Sequence, residues 1–491
     1  MTNEEELIAE RQRKRNDLIS LGRTPYPYSF SPTHHTTTIL EKYHQLKAEE
    51  ATKDEVAIAG RIVGLRRMGK VTFMHILDEK GKLQLYFKYD HIPSAYDSLK
   101  LLDMGDWIGA TGTIFKTKTG EVTVNVSQYE VLCKSLRPLP EKWHGLKDIE
   151  QRYRKRYVDL IMNPEIRETF IKRTKIIDTI RQELNKRRFL EVETPILQAV
   201  YGGANAKPFK THLNSLKMDV FMRISNELYL KRLIVGGFER VYEFAKDFRN
   251  EDIDRTHNPE FTQVEIYQAY ADYHDMKEIV MDLYVAAAKA LHGKTTFEYD
   301  GHTIDVKKPW KSYTVVGALR EFGKIDVDKM SDKELAKACT QHKIDVKKGT
   351  TRGQLIQELF EELVEHQLIQ PTFITHHPME STPLCKPCRE EPLSKNFIER
   401  FEPFICGMEI ANAYSELNDP VLQRKLLEDQ AKQLRAGSEE AHPMDEDFVQ
   451  AIEYGMPPTG GVGIGIDRMT MILTNNTSIR DVIFFPFMKN E

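Results

Sequence analysis

Cysteine is scarce in this chain, with five residues in 491, of which only Cys385 and Cys388 lie close together. So few thiols cannot build a disulfide framework in a chain this long, which agrees with a reducing compartment. Long apolar runs are also missing: no stretch approaches the roughly 18 residues that a membrane helix needs. The first residues alternate acids and bases and lack the apolar core of a secretory signal. The sequence therefore predicts a cytoplasmic protein with no membrane partner.

An excess of one charge is absent as well. The chain has 70 Lys and Arg residues against 74 Asp and Glu residues, a formal net charge of −4. This balance excludes a histone-like mode of nucleic-acid binding, but it leaves room for local basic patches. Arg61–Asp90 contains seven basic and three acidic residues, and Lys142–Arg156 contains six and two, so each segment has a net charge of +4.

The length predicts about three domains. Residues 1–55 are a charged helical lead-in outside any core, with a second short helix around Leu40–Ala51. Residues 56–134 contain five β-rich runs separated by turn dipeptides, which indicates a five-stranded OB-fold barrel. Residues 135–150 are a Pro-containing linker. Residues 151–491 mix helices and strands without a βαβ rhythm, which predicts an α+β domain, an antiparallel sheet flanked by helices, with a helical insertion at about 325–372.

A polar loop between two strand-like runs holds charged candidates, namely Arg249, Glu251, Arg255 and His257. In the second run, alternation divides the side chains between two faces. One face is apolar and packs, and the other presents a ring, an amide, a carboxylate and a phenol: Phe261, Gln263, Glu265 and Tyr267. A binding site and a solvated strand face both explain this pattern.

Glycines crowd the C-terminal run TGGVGIGIDRM, just before Arg468 and an apolar helix. A glycine-rich backbone permits close approach of a phosphate or a base, and the arginine adds a fixed charge at the helix start. The spacing is not that of a G-x-G-x-x-G dinucleotide fingerprint, and the chain has no Walker A lysine motif.

Four polar residues recur in the run from Phe397 to Asp419: Glu402, Glu409, Asn412 and Glu416. Carboxylates on a strand that is otherwise apolar need a cation or a metal as partner. Glu409 has the opposite parity to the other three. If all four act together the strand must bulge, and we expect the bulge at Gly407.

Three segments resemble the signature motifs of class II aminoacyl-tRNA synthetases. FLEVETPIL, with Pro195, is similar to the first, dimer-forming motif; FRNEDIDRTHNPEF is similar to the second and GIGIDRM to the third. With a barrel in front, the chain resembles the lysyl, aspartyl and asparaginyl subgroup, and the lysyl enzymes most. The resemblance implies a homodimer that forms an aminoacyl-adenylate from ATP and then transfers the amino acid to the terminal ribose of a tRNA.

The resemblance also assigns the ATP-binding residues. Arg249 would hold the α-phosphate and Arg468 the γ-phosphate, as the two catalytic residues. Guanidinium groups suit this role because they stay charged and bind phosphate oxygens bidentately. Glu251 and His257 would help to fix the nucleotide, and Phe261 would stack on adenine.

Magnesium is the cofactor that the resemblance implies, at Glu402 and Glu409. The attacking group is an amino-acid carboxylate, which is already ionised at pH 7, so positioning and charge neutralisation must account for the rate. The chain departs from the family at Cys406-Gly407-Met408, where Gly-Gly-Arg is frequent.

The amino-acid site implied by the resemblance is acidic, and its residues are Gly203, Glu227, Glu265, Tyr267, Asn412 and Glu416. A buried ammonium must meet carboxylates, because an unpaired buried charge is costly. The residue that matches Glu416 receives the side-chain ammonium in the lysyl enzymes. Aspartyl and asparaginyl relatives carry Gln in place of Glu227, which favours lysine.

The barrel has a candidate nucleic-acid face. Alternation turns Met74, Ile76, Leu83, Leu85 and Phe87 inward, and turns Phe73, His75, Gln84, Tyr86 and Lys88 outward. An exposed ring beside an amide and basic groups is typical of a reader of unstacked bases. By resemblance, Arg66, Phe73 and Gln84 would read the tRNA anticodon.

Two alternatives remain open at this point. One is an aspartyl or asparaginyl ligase. The other is a catalytically silent relative that binds RNA through the barrel and uses the old site as a sensor of lysine or nucleotide. The presence of Arg249, Arg468, Glu402 and Glu409 argues against the silent relative, which has no need to keep all four.

The string KMSDK, at Lys329–Lys333, is similar to a loop of the other synthetase class. Ser331 and Glu334 form a capping box at a predicted helix start, and this explains the string without catalysis.

Cys385 and Cys388, in CKPC, have the spacing of metal ligands. A zinc site usually needs a clearer second pair. Paired thiols in a mobile loop are the simpler explanation.

Overall fold

The computed structural model describes residues 3–140, 148–347, 349–435 and 443–489. The chain divides into two compact units, residues 1–147 and 148–491. Part of the expected linker 135–150, and with it part of the basic segment 142–156, lies outside the described residues.

The first unit is a closed β-barrel with helices. Its elements are α1 (Asn3–Ser20), α2 (Thr36–Tyr43), β1 (Ala51–Met68), β2 (Val71–Leu77), β3 (Lys82–Lys88), α3 (Pro93–Tyr96), β4 (Trp107–Lys116) and β5 (Val122–Cys133). The strand order is β1-β2-β3-β5-β4, and β4 pairs with β1 to close the barrel. Only β3 and β5 pair in parallel. All five predicted strands are present, with the predicted inward residues of β2 and β3 buried.

The lead-in takes part in the barrel core, contrary to the expectation. Leu18 of α1 and Ile39 and Tyr43 of α2 belong to the same buried cluster as the inward residues of the strands. The second helix ends at Tyr43, and Ala51, where we expected helix, already begins β1. The helices pack on the barrel because their apolar side chains leave water there, against the inward residues of the strands.

The second unit begins with α4 (Ile149–Arg154), α5 (Arg156–Met162), α6 (Ile166–Lys186), β6 (Leu190–Glu191), β7 (Leu197–Gln198), β8 (Lys210–Leu213), β9 (Met218–Met222), α7 (Glu227–Val235), β10 (Arg240–Phe248), β11 (Glu260–Ala269), α8 (Tyr273–His292), β12 (Thr296–Tyr299), β13 (His302–Asp305) and β14 (Lys311–Thr314). It continues with α9 (Val315–Glu321), α10 (Asp332–Gln341), α11 (Arg352–Leu363), β15 (Thr372–Pro378), β16 (Phe397–Ile405), β17 (Met408–Glu409), β18 (Ala411–Ser415), α12 (Pro420–Arg435), α13 (Glu446–Glu453), β19 (Thr459–Gly465) and α14 (Ile466–Thr474).

A large sheet organises this unit, in the order β14-β15-β16-β18-β19-β11-β10-β6, with β17 beside β16. The strands from β15 to β10 pair antiparallel. The outermost pairs, β14 with β15 and β6 with β10, are parallel. One face packs against α6, α8 and α14 through apolar residues at helical spacing, such as Ile176, Ile180 and Leu184 of α6. On the opposite face, α7 and α13 pack against Val241 and Ala269, and the rest of that face is available to form a site.

The acidic run is a hairpin and not one bulged strand. Cys406 and Gly407 both have positive φ, 48° and 71°, and Ile405 pairs with Met408 across them. A two-residue turn with two positive φ values reverses the chain with the twist that antiparallel strands require. The expected bulge at Gly407 is thus wrong, because the chain turns there. The pairing register shifts by one residue only after Glu409, between the Phe404–Glu409 and Phe401–Ala413 pairs.

The helices α10 and α11 fall within the segment expected as a helical insertion. They share a buried cluster with α9 and with Ile374 and Phe404 of the sheet. Ser331 and Glu334 form the predicted capping box at the start of α10. Within the described residues, no helix combines the length and apolarity that a membrane crossing would require.

Candidate active site

A cavity of about 360 Å³ lies over the middle strands of the large sheet. Every residue predicted to bind nucleotide, amino acid or magnesium contributes to its lining: Gly203, Glu227, Arg249, Glu251, His257, Phe261, Glu265, Tyr267, Glu402, Glu409, Asn412, Glu416 and Arg468. The residues come from β11, the β16–β18 hairpin, α7, α14, the loop between β10 and β11 and the loop between β7 and β8. Glu227, Glu265 and Glu416 lie together at one end, which is called the acidic end, whereas Glu409 pairs with Arg468.

Three buried carboxyl groups form the acidic end. Glu265 lies on β11, Glu416 follows β18, and Glu227 begins α7. Burial raises the pKa of Glu416 to about 8. Burial, with the nearby Glu227 and Asp247 carboxylates, raises the pKa of Glu265 well above its usual range. Such shifts indicate carboxyl groups whose burial is only partly compensated by positive charge, so the place is suited to receive a further cation.

Lys231 is a member of the acidic end that the sequence analysis did not identify. Its Nζ atom lies 2.5 Å from Glu227 Oε1 and also forms an ion pair with Glu416 Oε2, and the side chain is fully buried. Burial lowers the pKa of Lys231, but the two carboxylates more than offset this and raise it above its usual value. Its i, i+4 spacing from Glu227 on a helix was the signal that could have revealed the pair.

The glycines of β19 make room for the acidic side chains. A Cβ atom at Gly461 would overlap Glu416 Oε1 and the ring of Tyr267, and one at Gly463 would lie 2.7 Å from Glu265 Oε1. We expected these glycines to admit a phosphate or a base. The structure instead places protein carboxylates against Gly461 and Gly463, so the expectation is wrong for these two glycines; for Gly465, which lies beside Arg468, it stays a prediction.

Polar side chains around the acids are linked by hydrogen bonds. Tyr267 donates from its hydroxyl to Glu265 Oε2 at 3.1 Å. Asn412 donates to the Tyr414 hydroxyl at 2.9 Å and accepts from Arg400 Nε at 3.0 Å. Gly203 has φ 92°, and a side chain there would collide with Ser225 and Glu227. The wall of the acidic end is therefore closely packed.

A second polar layer lies beneath the acidic end. Arg223 donates to Glu243 at 2.7 Å and pairs with Asp247 at 3.1 Å. Asp247 accepts from the Gln263 amide, which also donates to Glu265 Oε1 at 3.0 Å. Burial raises the pKa of Asp247 to about 6. These bonds fix the orientation of Gln263 and, through it, that of Glu265.

The other end of the cavity combines an arginine with an aromatic ring. The Arg249 guanidinium carbon lies 5.0 Å from the centroid of the Phe261 ring. Glu251 Oε1 accepts from the backbone N–H of Lys207 at 2.8 Å, and His257 Nδ1 lies 2.8 Å from Asp254 Oδ2. Burial raises the pKa of Asp254, but hydrogen bonds from Thr256 and His257 outweigh it and bring the value to about 2. Arg255, on the same loop, is not among the lining residues.

Arg468 connects the third motif with the second. Its guanidinium donates to the backbone oxygen of Glu409 at 2.7 Å and to Glu409 Oε2 at 3.1 Å, and it lies 3.1 Å from His257 Nε2. The side chain is therefore held at the start of α14 by two elements, with its charge directed to the cavity.

Glu402 and Glu409 lie on the two arms of the β16–β17 hairpin. Burial raises the pKa of Glu402 to about 7, Arg400 counteracts this, and Glu409 adds to it. Arg400 pairs with Glu402 and Arg468 pairs with Glu409, so each carboxylate already has one cationic partner. The two side chains still supply the hard oxygen donors that Mg²⁺ prefers, and in this respect they fit the ion. Among the described residues, no three His, Cys, Asp or Glu side chains form a metal site by themselves; other ligands would have to come from a bound nucleotide or water.

The barrel presents its own polar face. Arg66 pairs with Phe73 across β1 and β2, and Phe73 pairs with Tyr86 across β2 and β3, with ring centroids 5.1 Å apart. Gln84 differs from the expectation because it is buried: its amide donates to Glu121 Oε2 at 2.6 Å and accepts from Thr123 at 3.0 Å. Arg66 and Phe73 are accessible for a base, whereas Gln84 is occupied.

The cysteine pair is buried and does not lie in an open loop, so the expected mobile segment is wrong. Cys385 forms a β-bridge with Glu416, and the backbone N–H of Cys388 donates to Phe397. Burial raises the pKa of both thiols. They are packing residues beside the acidic end.

Three apolar side chains of the first motif, Leu190, Ile196 and Leu197, are exposed by 44–52%. The motif follows α6 and contributes β6 at one edge of the large sheet. An exposed apolar group at a sheet edge is a typical contact surface for another chain.

Comparison with known proteins agrees with this arrangement. Residues 148–489 match the family of tRNA synthetases class II (D, K and N), and residues 56–132 match the OB-fold nucleic acid binding domain. The chain is 49% identical to the lysine–tRNA ligase of Oceanobacillus iheyensis over 99% of its own length and 100% of the relative. It is 48% identical to those of Moorella thermoacetica and Clostridium perfringens, in each case over 99% of this chain and 98% of the relative. The matches confirm the predicted fold class, an N-terminal OB fold followed by a class II catalytic domain.

Proposed function

The chain belongs to the class II tRNA synthetases of the D, K and N group, and we propose that it is a lysine–tRNA ligase. It activates lysine with ATP, giving lysyl-adenylate and pyrophosphate, and then transfers lysine to the 3′ end of tRNA(Lys). The observation that carries the choice of lysine is the cluster of buried carboxyl groups at one end of the cavity, Glu227, Glu265 and Glu416. Full-length likeness to lysine–tRNA ligases supports the same choice.

Lysine recognition rests on charge. The side-chain ammonium is assigned to Glu416, and the α-ammonium lies near Glu265 and Glu227. Tyr267 and Asn412 complete the wall, and Gly203 belongs to a loop that covers the amino acid. An ammonium group leaves water only if carboxylates replace its hydration, and this cavity provides them already fixed by hydrogen bonds.

Nucleotide binding rests on the opposite end. Arg249 holds the α-phosphate and Arg468 the γ-phosphate, while Phe261 stacks on adenine. Glu251 and His257 help to fix the nucleotide. Arg249 lies over the Phe261 ring, so the base and the α-phosphate are held by neighbouring groups. Two arginines at separate positions along the triphosphate hold its α-phosphate in position for the amino acid.

The first chemical step needs no proton transfer. A carboxylate oxygen of lysine attacks the α-phosphorus, a new P–O bond forms, and the bond to pyrophosphate breaks. Arg249 stabilises the charge that develops on the α-phosphate. Glu402 and Glu409 would hold Mg²⁺, which supplies positive charge that screens the phosphates. In the second step a ribose hydroxyl of the tRNA attacks the carbonyl carbon, and AMP leaves.

We assign tRNA binding to the barrel face with Arg66 and Phe73, and to Gln84 once it is released from Glu121. Base stacking on Phe73 requires no sequence-specific bond, whereas the amide of Gln84 provides one. We further propose a homodimer through the first motif, whose Leu190, Ile196 and Leu197 are exposed.

Amino-acid-dependent exchange of pyrophosphate into ATP tests the assignment. Parallel assays with lysine, aspartate and asparagine are expected to show exchange with lysine alone. Exchange with aspartate or asparagine would identify the other members of the group. Exchange with none of the three would indicate a silent relative and would overturn the proposal.

A further inference from the structure

Lys231 occupies the acidic end of the cavity as an internal ammonium group. Its Nζ bridges Glu227 and Glu416, and none of its side chain is exposed. A lysine in this position places on the protein itself the chemical group that the proposed substrate presents. Its contribution must therefore be included in the charge that the substrate meets.

The charges of the acidic end leave two negative charges unpaired. With lysine bound, Glu227, Glu265 and Glu416 act as three carboxylates and Lys231 as one ammonium. In the layer beneath, Arg223 is shared between Asp247 and Glu243 and neutralises one of the two. A lysine whose carboxylate points towards the nucleotide brings two ammonium groups to this end. The Lys231 ammonium therefore lowers the negative charge of the acidic end to a value that matches the two ammonium groups of the substrate.

The geometry of Glu416 points the same way. Its Oε2 atom forms the ion pair with Lys231. Its Oε1 atom is buried, has no hydrogen-bond partner among the described residues, and faces Gly461 and Tyr267, which line the cavity. Oε2 is thus held by the ion pair with Lys231, whereas Oε1 lies against Gly461 in the lining of the cavity and is open to a further partner. Without the bridge, two adjacent buried carboxylates would repel each other, and one would keep a proton.

We propose that Lys231 is a positioning residue that sets the charge of the lysine pocket: its ammonium neutralises one of the three carboxylates and holds Glu416 with a free oxygen towards the substrate. The inference rests on the proposed lysine–tRNA ligase function. The groups that face this bridge from the surrounding elements are Glu265, Tyr267, Tyr414, Cys385, Lys386 and Arg400, with Glu399 beside Cys385 and Asp247 beside Glu265.

A double-variant cycle tests the charge count. Lys231→Met leaves three unpaired negative charges, and Glu227→Gln leaves one. The combination Glu227→Gln/Lys231→Met restores the count of two unpaired negative charges. We expect each single variant to raise KM for lysine at pH 7 by about tenfold or more, since a charge neighbour at this distance shifts an ionisation by about one unit or more. The double variant is expected to bind lysine more tightly than either single variant.

The pH profile separates this role from a purely structural one. Removal of the ammonium raises the pKa of the carboxyl groups beside it, so the acidic limb of kcat/KM for lysine moves to higher pH in Lys231→Met. The limb returns towards the wild-type position in the double variant, which lacks the repelling carboxylate. Lys432→Met, which removes a lysine of α12 that pairs with Asp429, is the control and is expected to leave the limb in place.

The outcomes are distinguishable. Additive losses in the double variant, or an unmoved limb in Lys231→Met, overturn the inference. If Lys231→Met does not fold, the double variant, which leaves no unpaired buried ammonium, is compared with Glu227→Gln instead. A double variant that folds and binds lysine more weakly than Glu227→Gln overturns the inference. If the wild-type protein shows no lysine-dependent exchange of pyrophosphate into ATP, the proposed function itself is refuted.

Discussion

Gly461 faces Glu416 so closely that residue 461 has no space for a Cβ atom. The same Cβ would also meet the ring of Tyr267, 2.5 Å from its Cε1 atom. The acidic end of the cavity therefore requires glycine at position 461, because only glycine lets the Glu416 carboxylate and the Tyr267 phenol lie against the backbone of β19.

Gly461→Ala is expected to lower kcat/KM for lysine by about 10- to 100-fold, because inserting a methyl group into a packed site costs about 1–3 kcal/mol. Pyrophosphate exchange at varied lysine measures the loss. Gly465→Ala is the control on the same strand, since its Cβ would meet only Arg468 at 3.7 Å. Equal losses in both variants would contradict the argument.

Glu416→Gln is expected to reduce kcat/KM for lysine by about 30-fold or more, because truncating one partner of a buried charge pair costs about 2–5 kcal/mol. KM for ATP should change little, since the nucleotide lies at the other end. Exchange kinetics with each substrate varied in turn provide the test. The exposed Glu428→Gln on α12 is the control, and lysine kinetics unchanged by Glu416→Gln would remove the assigned role.

Lysine use should increase with pH in the wild-type protein. Burial raises the pKa of Glu416 to about 8, so in the empty pocket this carboxyl is largely neutral at pH 6.5, whereas an ammonium group needs the anion. We expect kcat/KM for lysine to rise about tenfold between pH 6.5 and 8. Measured at saturating lysine, kcat/KM for ATP should vary much less. A profile that is flat or falls with pH would show that Glu416 is already ionised.

Phe73→Ala should weaken charging of tRNA and leave pyrophosphate exchange nearly intact. Stacking of a base on an aromatic side chain contributes about 1–3 kcal/mol, so KM for tRNA is expected to rise by about 5- to 100-fold. Tyr28→Ala, a substitution of a fully exposed ring of the same unit, controls for loss of an aromatic residue. Parallel loss of exchange and charging would point to a folding defect in place of lost recognition.

Ile39→Ala should destabilise the barrel by about 2–5 kcal/mol, the usual range for a buried isoleucine cut to alanine. Ile39 is fully buried in the barrel core although it lies outside the strands. Hydrogen exchange of amides in β2 and β3 measures the local stability. Ile19→Ala on α1, where the side chain is 47% exposed, should have little effect, and equal protection in both variants would mean that α2 is only a surface element.

Regular alternation made some of the structure predictable. Phe261, Gln263, Glu265 and Tyr267 share one face of β11 because successive side chains of a strand point to opposite sides. The same rule identified the inward residues of β2 and β3. The remaining residues assigned to ATP, lysine and magnesium came from motif resemblance, and all of them line one cavity.

Other features depend on contacts that local patterns do not encode. A bulge and a two-residue turn can both be centred on a glycine with positive φ, so the sequence around Gly407 could not distinguish them. Gln84 is buried because Glu121, from another part of the barrel, reaches its amide. Lys231 pairs with Glu227 on its own helix. Its bridging role also depends on Glu416, which comes near Lys231 only in the folded protein.

The single strand β11 carries Phe261 near the nucleotide end and Glu265 at the acidic end. Two residues four positions apart on one strand are separated by roughly 13 Å, so the backbone itself fixes the spacing between the adenine and the amine of the substrate. A one-residue deletion between them would turn one group away from the cavity. A substitution at the acidic end, in contrast, leaves the nucleotide end undisturbed. The same scaffold can therefore be adapted to a different amino-acid substrate while it still binds ATP.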